Sequence, residues 1–516
     1  MSADSGRVTT CTVSPRTERL VKLLCAAYYL IAATAIAWTK ATFTDEGWFV
    51  GIACRLAHTG HMGSPTLVPW GFSIWLPQVH DFTYWEMPGF FLVWAPWLRV
   101  AGCGLFAARV LSVILGLFLI LIWYRIVLYL TGRKDVALLA LVLCSVDLMT
   151  VVRCSQARMD ALSVFVTLSA FLVYLSQRRK SLGRAVFLGH LLAAAGMMVH
   201  PNGIFGVAGI IVLQLYYDRK QLTPKLLLYT AVAYLIVGSA YGVYVLQAPH
   251  VWQTQLGQHS AGRFSGVLHP LRSITAEIRD RYYHSFGFSP DATPIRKPLI
   301  LTLVPYFAAP LLCLLSGRIR RLPGAMVLLS LFLVIQIYFT FFEAGKYYAY
   351  LLHIMPYYTC FVAICSVYLV GRYPRVRTVL GLGLGGFILF QMGGALMMIR
   401  QNLAYNVYED VASRVDKTRL VRDNETVQAS SEFAFQFGFD RVKDDLTSRY
   451  LATARPLYAI IASGASPRVQ GVAEKWADRV NATLSECYTG PQAVGRFLLY
   501  QRKDTCAPGR DPEADR

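Results

Sequence analysis

The chain has 516 residues, of which 55% are hydrophobic and 16% charged, with a mean hydropathy of +0.43. A soluble globular chain carries about 25% charged residues, so composition excludes a soluble enzyme as the whole of this protein. The formal net charge is +20, and it is unevenly placed: residues 1–399 hold 33 Lys/Arg against 14 Asp/Glu, residues 400–516 hold 17 against 16. Cations gathered in short connections between apolar runs indicate bilayer topology rather than nucleic-acid binding.

The N-terminal 1–22 is polar and basic. It leads into 23–39 with no convincing small-residue cleavage site, so an uncleaved first span is predicted. Apolar stretches follow at 105–130, 136–152, 160–177, 185–199, 203–217, 225–247, 298–316, 323–342, 349–370 and 376–399, making eleven spans with the first. Every second connection is basic: Arg133/Lys134, Arg178/Arg179/Lys180/Arg184, Arg219/Lys220/Lys225, Arg318/Arg320/Arg321 and Arg372/Arg375/Arg377. Positive charge stays on the cytoplasmic side, which puts these clusters and the N-terminus inside and the other connections, chiefly 40–104 and 248–297, outside. Met87–Ala101 is apolar and Trp-rich, but it is short, with two prolines and an Arg. It is read as an interfacial or re-entrant helix on the outer face, because a crossing there would put the N-terminus opposite all later basic clusters. An odd number of spans then leaves residues 400–516 outside.

Those last residues alternate strand-like runs (Thr426–Ala429, Leu457–Ala462, Arg496–Gln501) with helical ones (Glu432–Phe437, Arg468–Thr483), the pattern of a small α/β domain. The expected fold is an α-helical polytopic membrane protein of about eleven transmembrane helices with outer-face interfacial helices. A C-terminal extracytoplasmic α/β domain follows the transmembrane domain 23–399. Of eleven cysteines, Cys25, Cys144, Cys313, Cys360 and Cys365 sit in apolar stretches as small fillers. Cys54/Cys103 and Cys487/Cys506 are candidate disulfides that spacing alone does not establish. Gly381-Leu-Gly-Leu-Gly-Gly lies inside a span and reads as helix-packing glycine rather than a dinucleotide loop.

Ionisable residues concentrate in the outer connections. Asp45 and Glu46 stand a few residues past the first span, where a carboxylate can take a proton from a hydroxyl; the plainer reading is a solvated loop start. Glu86 enters the interfacial helix after Phe82, Tyr84 and Trp85, and an ionisable group at membrane depth is a functional candidate, the alternative being a rim residue in water. Asp160, two residues past Arg158, opens the fourth span, where capping or an Arg158 ion pair is the alternative. Arg263 in the 248–297 loop and Lys346 before Tyr347 are cations on the otherwise cation-poor outer side, suited to a lipid phosphate, with solvated rim cations as the alternative. His200, in His-Pro-Asn, reads as a turn residue.

With these residues in hand, the chain resembles the C-type membrane glycosyltransferases, in particular the branch of protein O-mannosyltransferases and lipid A aminoarabinose transferase, over about residues 20–400. The resemblance rests on Thr-Asp-Glu-Gly-Trp (44–48), Tyr-Trp-Glu-Met-Pro-Gly-Phe-Phe (84–91), Gly104-Leu-Phe-Ala-Ala-Arg109, Arg158-Met-Asp160 and Lys346-Tyr-Tyr-Ala-Tyr-Leu-Leu. It implies Asp45 as catalytic base with Glu46 beside it and catalytic roles at Glu86 and Asp160; the donor phosphate is assigned to the outer-side cations Arg263 and Lys346, with Arg158 and Tyr347. Met87 stands where the aminoarabinose branch has Lys, and His-Pro where it has Lys-Gly, so phosphate contacts there are missing.

The implied activity is inverting transfer of a sugar from a polyprenyl-phosphate donor to a glycan, lipid or protein acceptor on the outer face of the membrane, with membrane lipids as surroundings and no nucleic acid; the basic inner loops suit a plasma membrane, with the endoplasmic reticulum as the alternative. No acidic cluster resembles a cation cage, so no metal or other cofactor is assigned. The rival class is a transporter or flippase of lipid-linked sugars, which should show inverted repeats and polar broken helices at mid-membrane.

Overall fold

A computed structural model of the chain describes residues 13–68, 76–260, 267, 269–288, 294–445, 449–463 and 477–509. It is a polytopic helical protein with a small C-terminal sheet, as the composition and periodicity predict. The chain divides into two compact units. One comprises Met1–Ala37, Ser112–Val243 and Ser260–Ile399; the other comprises Trp38–Leu111, Tyr244–His259 and Arg400–Arg516.

Each predicted span coincides with helix. Among the described residues, seven helices are long and apolar enough to cross a membrane: α1 (Pro15–Thr39), Leu105–Thr131, Met159–Gln177, Leu182–Val199, Pro224–Val245, Arg296–Leu315 and Pro374–Ser413. Pro201–Tyr217 and Ala325–Phe341 are shorter apolar helices, and Met355–Arg372 follows a 3-10 turn at Tyr348–His353. Large apolar residues on two of these helices point outward, among them Leu227, Leu235, Leu382 and Leu389, each more than 60% exposed. Such surface is stable against lipid chains, where the backbone is already satisfied by the helix.

Two expectations need correction. The span predicted as continuous over 136–152 is a pair of helices, Lys134–Val146 and Leu148–Cys154, bent by 61°. Asp147 causes the break: its backbone leaves the helical region, and its Oδ2 accepts from the Thr150 N–H and hydroxyl at 2.7 Å each. The connection 248–297, read as a loop, carries helices at Pro249–Ser260, Pro270–Ala276 and Glu277–Phe288.

In the second unit, α2 (Thr44–Thr59) packs on α3 (Gly89–Ala101), and the Cys54–Cys103 disulfide links the two segments. At 13 residues α3 is too short to span. The C-terminal strands β1 (Val427–Gln428), β2 (Val442–Lys443), β3 (Tyr458–Ala462), β4 (Tyr488–Val494) and β5 (Phe497–Arg502) form one sheet in the order β2-β1-β3-β5-β4. β1 pairs in parallel with β2 and β3, while β5 runs antiparallel to β3 and β4. Its core is Phe433, Val427, Leu457, Ile460, Phe497 and Leu499. Strands β2 and β4 were not foreseen. β2 is only two residues long, and in β4 the residues between Tyr488 and Val494 are exposed, which leaves no apolar alternation to read. Of the predicted 468–483 helix, 477–483 are described and are helical, within a helix Ala477–Cys487 that runs past the predicted end; its last residue is bonded to Cys506.

Candidate active site

Within the second unit two of the candidate acids, Asp45 and Glu46, stand on the first turn of α2. The helix begins after Phe43, whose extended backbone donates its N–H to Glu46 Oε2 at 3.0 Å. Glu46 is fully buried and receives a two-pronged bond from Arg109, Nε to Oε1 at 2.7 Å and Nη2 to Oε2 at 2.6 Å. Arg109 also donates to the carbonyls of Lys40 and Ala41, at 2.6 and 3.0 Å, so one guanidinium holds both the carboxylate and the strand of chain entering the helix. Planar five-donor geometry makes Arg the side chain that can do this. Asp45, one residue earlier, is partly exposed on the same turn.

Glu86 is also partly exposed, on the segment leading into α3. That segment is fastened by buried Gln255 of Pro249–Ser260: its Oε1 accepts the Tyr84 N–H at 2.7 Å, and its Nε2 donates to the carbonyls of Pro77 and Phe82. Tyr84 donates its hydroxyl to the Tyr244 carbonyl at 3.0 Å, and Trp85 packs against Trp48 and Phe49 of α2. Sequence reasoning quoted Arg109 only as part of a motif and missed Gln255. An Arg opening an apolar 27-residue helix, at the cost of desolvation, was the available signal for the first.

In the first unit, Asp160 opens Met159–Gln177 and accepts from Arg158 Nε at 2.9 Å; both side chains are almost wholly buried. The other Asp160 oxygen has no hydrogen-bond partner among the described residues, and His200 and His353 lie near enough to act on its charge. Arg158 stacks over the Tyr347 ring at 5.0 Å, and Arg153 over the adjacent Tyr348 ring at 4.3 Å. His200 accepts the Asn202 N–H through Nδ1 at 3.0 Å, the turn role expected of it, and packs edge-on against Tyr350.

Lys346 is committed to holding structure. With φ +48° it ends a turn, and its Nζ donates to the Phe339 and Thr340 carbonyls at 2.6 and 2.7 Å, 3.4 Å from Glu277 Oε2. Burial holds its ammonium below the usual lysine value, with Glu277 opposing. Arg281, fully buried, bonds Glu277, Glu343 and the Tyr347 carbonyl. Arg263 lies outside the described residues. Among the described residues Cys54, His58 and Cys103 are the one group of three or more candidate metal ligands, and the disulfide takes both thiolates.

The sequence matches no family model and no curated protein. Its fold, in contrast, is shared with solved structures. ArnT from Cupriavidus metallidurans bound to undecaprenyl phosphate aligns with a TM-score of 0.63 at 12% identity, over 96% of this chain and 100% of that one. AglB oligosaccharyltransferase from Archaeoglobus fulgidus, in complex with an inhibitory peptide and a dolichol-phosphate, aligns at 0.53 and 12% identity over 95% and 75%. Arabinofuranosyltransferase AftD from Mycobacteria aligns at 0.53 and 12% identity over 96% and 40%. All three are C-type glycosyltransferases, and this chain has the C-type membrane glycosyltransferase fold.

Proposed function

We propose that this protein is an inverting membrane glycosyltransferase that takes a sugar from a polyprenyl-phosphate donor and passes it to an acceptor hydroxyl on the extracytoplasmic face of a plasma membrane. The observation that carries this reading is the division of labour on the first turn of α2. Glu46 is buried in its bond to Arg109, while Asp45 is partly exposed one residue away. A carboxylate at that place suits a general base: it accepts the acceptor's proton as the oxygen attacks the anomeric carbon from the face opposite the leaving phosphate. The carbon–oxygen bond to the carrier breaks, the electron pair leaves with polyprenyl phosphate, and the proton passes from Asp45 to water. The departing phosphate needs cations rather than a strong acid.

For that second task we propose residues other than the first candidates. Lys346 is occupied by two carbonyls and Glu277. Arg153 and Arg296 each keep a buried Nε with no hydrogen-bond partner among the described residues, and their charges repel one another. A phosphate between them would relieve both costs. Likeness to the fold of ArnT bound to undecaprenyl phosphate and of AglB with a dolichol-phosphate supports a polyprenyl carrier.

The test is transfer of radiolabelled sugar from a polyprenyl-phosphate donor by the purified protein. Asp45→Asn should lose roughly 10²–10⁴ in rate with donor binding retained, and Arg153→Ala and Arg296→Ala should raise the donor KM. Lipid-linked sugar moved across vesicles with no transfer to any acceptor would overturn the reading in favour of a flippase.

A further inference from the structure

The face of α2 that carries no candidate base is seated on the C-terminal segment. Thr44, Gly47, Trp48 and Gly51 recur at i, i+3, i+4 and i+7, which places them on one side of the helix. Each meets a residue from 431–444. The Thr44 hydroxyl donates to Glu432 Oε1 at 2.7 Å, and the Trp48 indole N–H donates to Asp444 Oδ2 at 2.9 Å. A Cβ on Gly47 would overlap the Ser431 carbonyl, and one on Gly51 would stand 2.8 Å from the Phe439 ring. The glycines therefore mark a close approach of helix to backbone, a use of this residue that has nothing to do with flexibility.

The receiving side is itself braced. Asp444 Oδ2 also takes the Ser431 N–H at 2.9 Å and the Ser431 hydroxyl at 2.7 Å, and the Asp444 N–H donates to the Thr66 carbonyl at 2.8 Å. Glu432 accepts a second hydroxyl, from Tyr408, at 3.1 Å, and both carboxylates are less than 5% exposed. Burying two acids a residue or two from a helix is costly unless each is tied to donors. Here the donors that tie them include Thr44 and Trp48, which flank the two acids at 45 and 46.

We propose that Glu432 and Asp444 are positioning residues for Asp45: the C-terminal segment sets the angle and register of the first turn of α2, and with it the direction of the carboxylate that serves as base. This rests on the assignment of Asp45 made above. A helix turn held from one side by Arg109 through Glu46, and from another by Glu432 and Asp444 through Thr44 and Trp48, has little freedom to rotate. Misplacement of a reacting group by about 1 Å costs on the order of 10²-fold in rate.

The experiment pairs hydrogen exchange with kinetics on the full chain. In Glu432→Ala and in Gly47→Ala, amide exchange over residues 43–48 should rise at least tenfold. The kcat should fall roughly 10–100-fold with the donor KM unchanged, and Glu432→Gln, which still accepts the Thr44 hydroxyl, should restore most of both. Gly47→Ala controls for helix propensity, because Ala is the better helix former by about 1 kcal/mol, so any loss arises at the contact with Ser431; a native far-UV circular dichroism spectrum in each variant excludes simple unfolding. Arg422→Ala, at an exposed arginine in the same domain, serves as the control with basal exchange and rate. Unchanged exchange in both variants would overturn the proposal whatever transfer does. Raised exchange with full kcat would also overturn it; if Asp45→Asn is inactive in that case the base assignment stands, and if Asp45→Asn is active the base assignment falls as well.

Discussion

At Glu46 a carboxylate gives up its solvent entirely for Arg109, and such a pair is asymmetric in its consequences. Removing one partner strands a buried charge, at a cost of about 3–5 kcal/mol, whereas replacing both with apolar groups is often tolerated. Glu46→Leu or Arg109→Met alone should therefore lower thermal stability by that amount, and the double substitution should recover much of it. Additive losses in melting experiments would count against the pair as the anchor of α2. Asp444 makes a different prediction, through pH. Burial pushes its carboxyl up to about 6, against the hydrogen bonds from Trp48 and Ser431, from an ordinary value of 3.8. Between pH 4 and 6 the folded state thus holds a proton that the unfolded state has released. This contribution to stability is greatest below pH 4 and is lost as pH rises to 6, on the order of 3 kcal/mol at 1.36 kcal/mol per pH unit. Asp444→Asn keeps an acceptor for the indole without the titration. The difference in melting temperature between Asp444→Asn and the native chain should grow from pH 4 to 6 in favour of Asn and then level off; a difference independent of pH would refute it.

Among the elements, the broken helix at Asp147 has the clearest physical cause. The aspartate is fully buried, its Oδ1 takes the Tyr306 hydroxyl at 2.6 Å, and the Leu148 N–H freed by the break is taken by Gln391 at 3.0 Å. Gln391 is held in turn by the Thr302 hydroxyl. Tyr306→Phe removes one donor and should cost about 1–2 kcal/mol. Asp147→Leu removes the acceptor of three hydrogen bonds and the N-cap of Leu148–Cys154, so it should cost more and also raise the donor KM, since Arg153 lies on the helix it redirects. An unaltered KM in a folded Asp147→Leu protein would separate the kink from donor binding. The signal was present in the sequence as Asp147-Leu-Met-Thr150, an N-cap pattern inside an apolar run. Hydropathy averaged over a span conceals it.

For the whole molecule, the charge pattern makes the most general prediction. It predicts the five basic connections and the N-terminal tail on one side of the membrane and 400–516 on the other. A membrane-impermeant thiol reagent should label a cysteine introduced at Arg422 and leave one at Arg179 or Arg320 unlabelled in intact cells; the reverse would invert the topology. The two disulfides, Cys54–Cys103 and Cys487–Cys506, agree with an oxidising location for the segments that hold them. The six described free cysteines, Cys25, Cys144, Cys154, Cys313, Cys360 and Cys365, are all buried.

Sequence by itself determined that this is a polytopic membrane protein, where its long apolar helices lie, and that a small α/β region follows them. Those properties are set by local composition: a run of apolar residues must become helix in lipid because its backbone has no other partner. It also drew attention to Asp45, Glu46, Glu86, Arg158 and Asp160, because a charge beside an apolar span is costly enough to be conspicuous. Which of two adjacent acids is buried, and against what, was not legible. Glu46 meets Arg109 across 63 residues, and Thr44 meets Glu432 across 388. Pairings at such separations depend on how distant segments pack, and no local pattern encodes the partner. Only the tertiary structure decided that Lys346 is occupied by carbonyls, that Arg153 keeps an unsatisfied donor, and that the C-terminal segment seats the helix bearing Asp45.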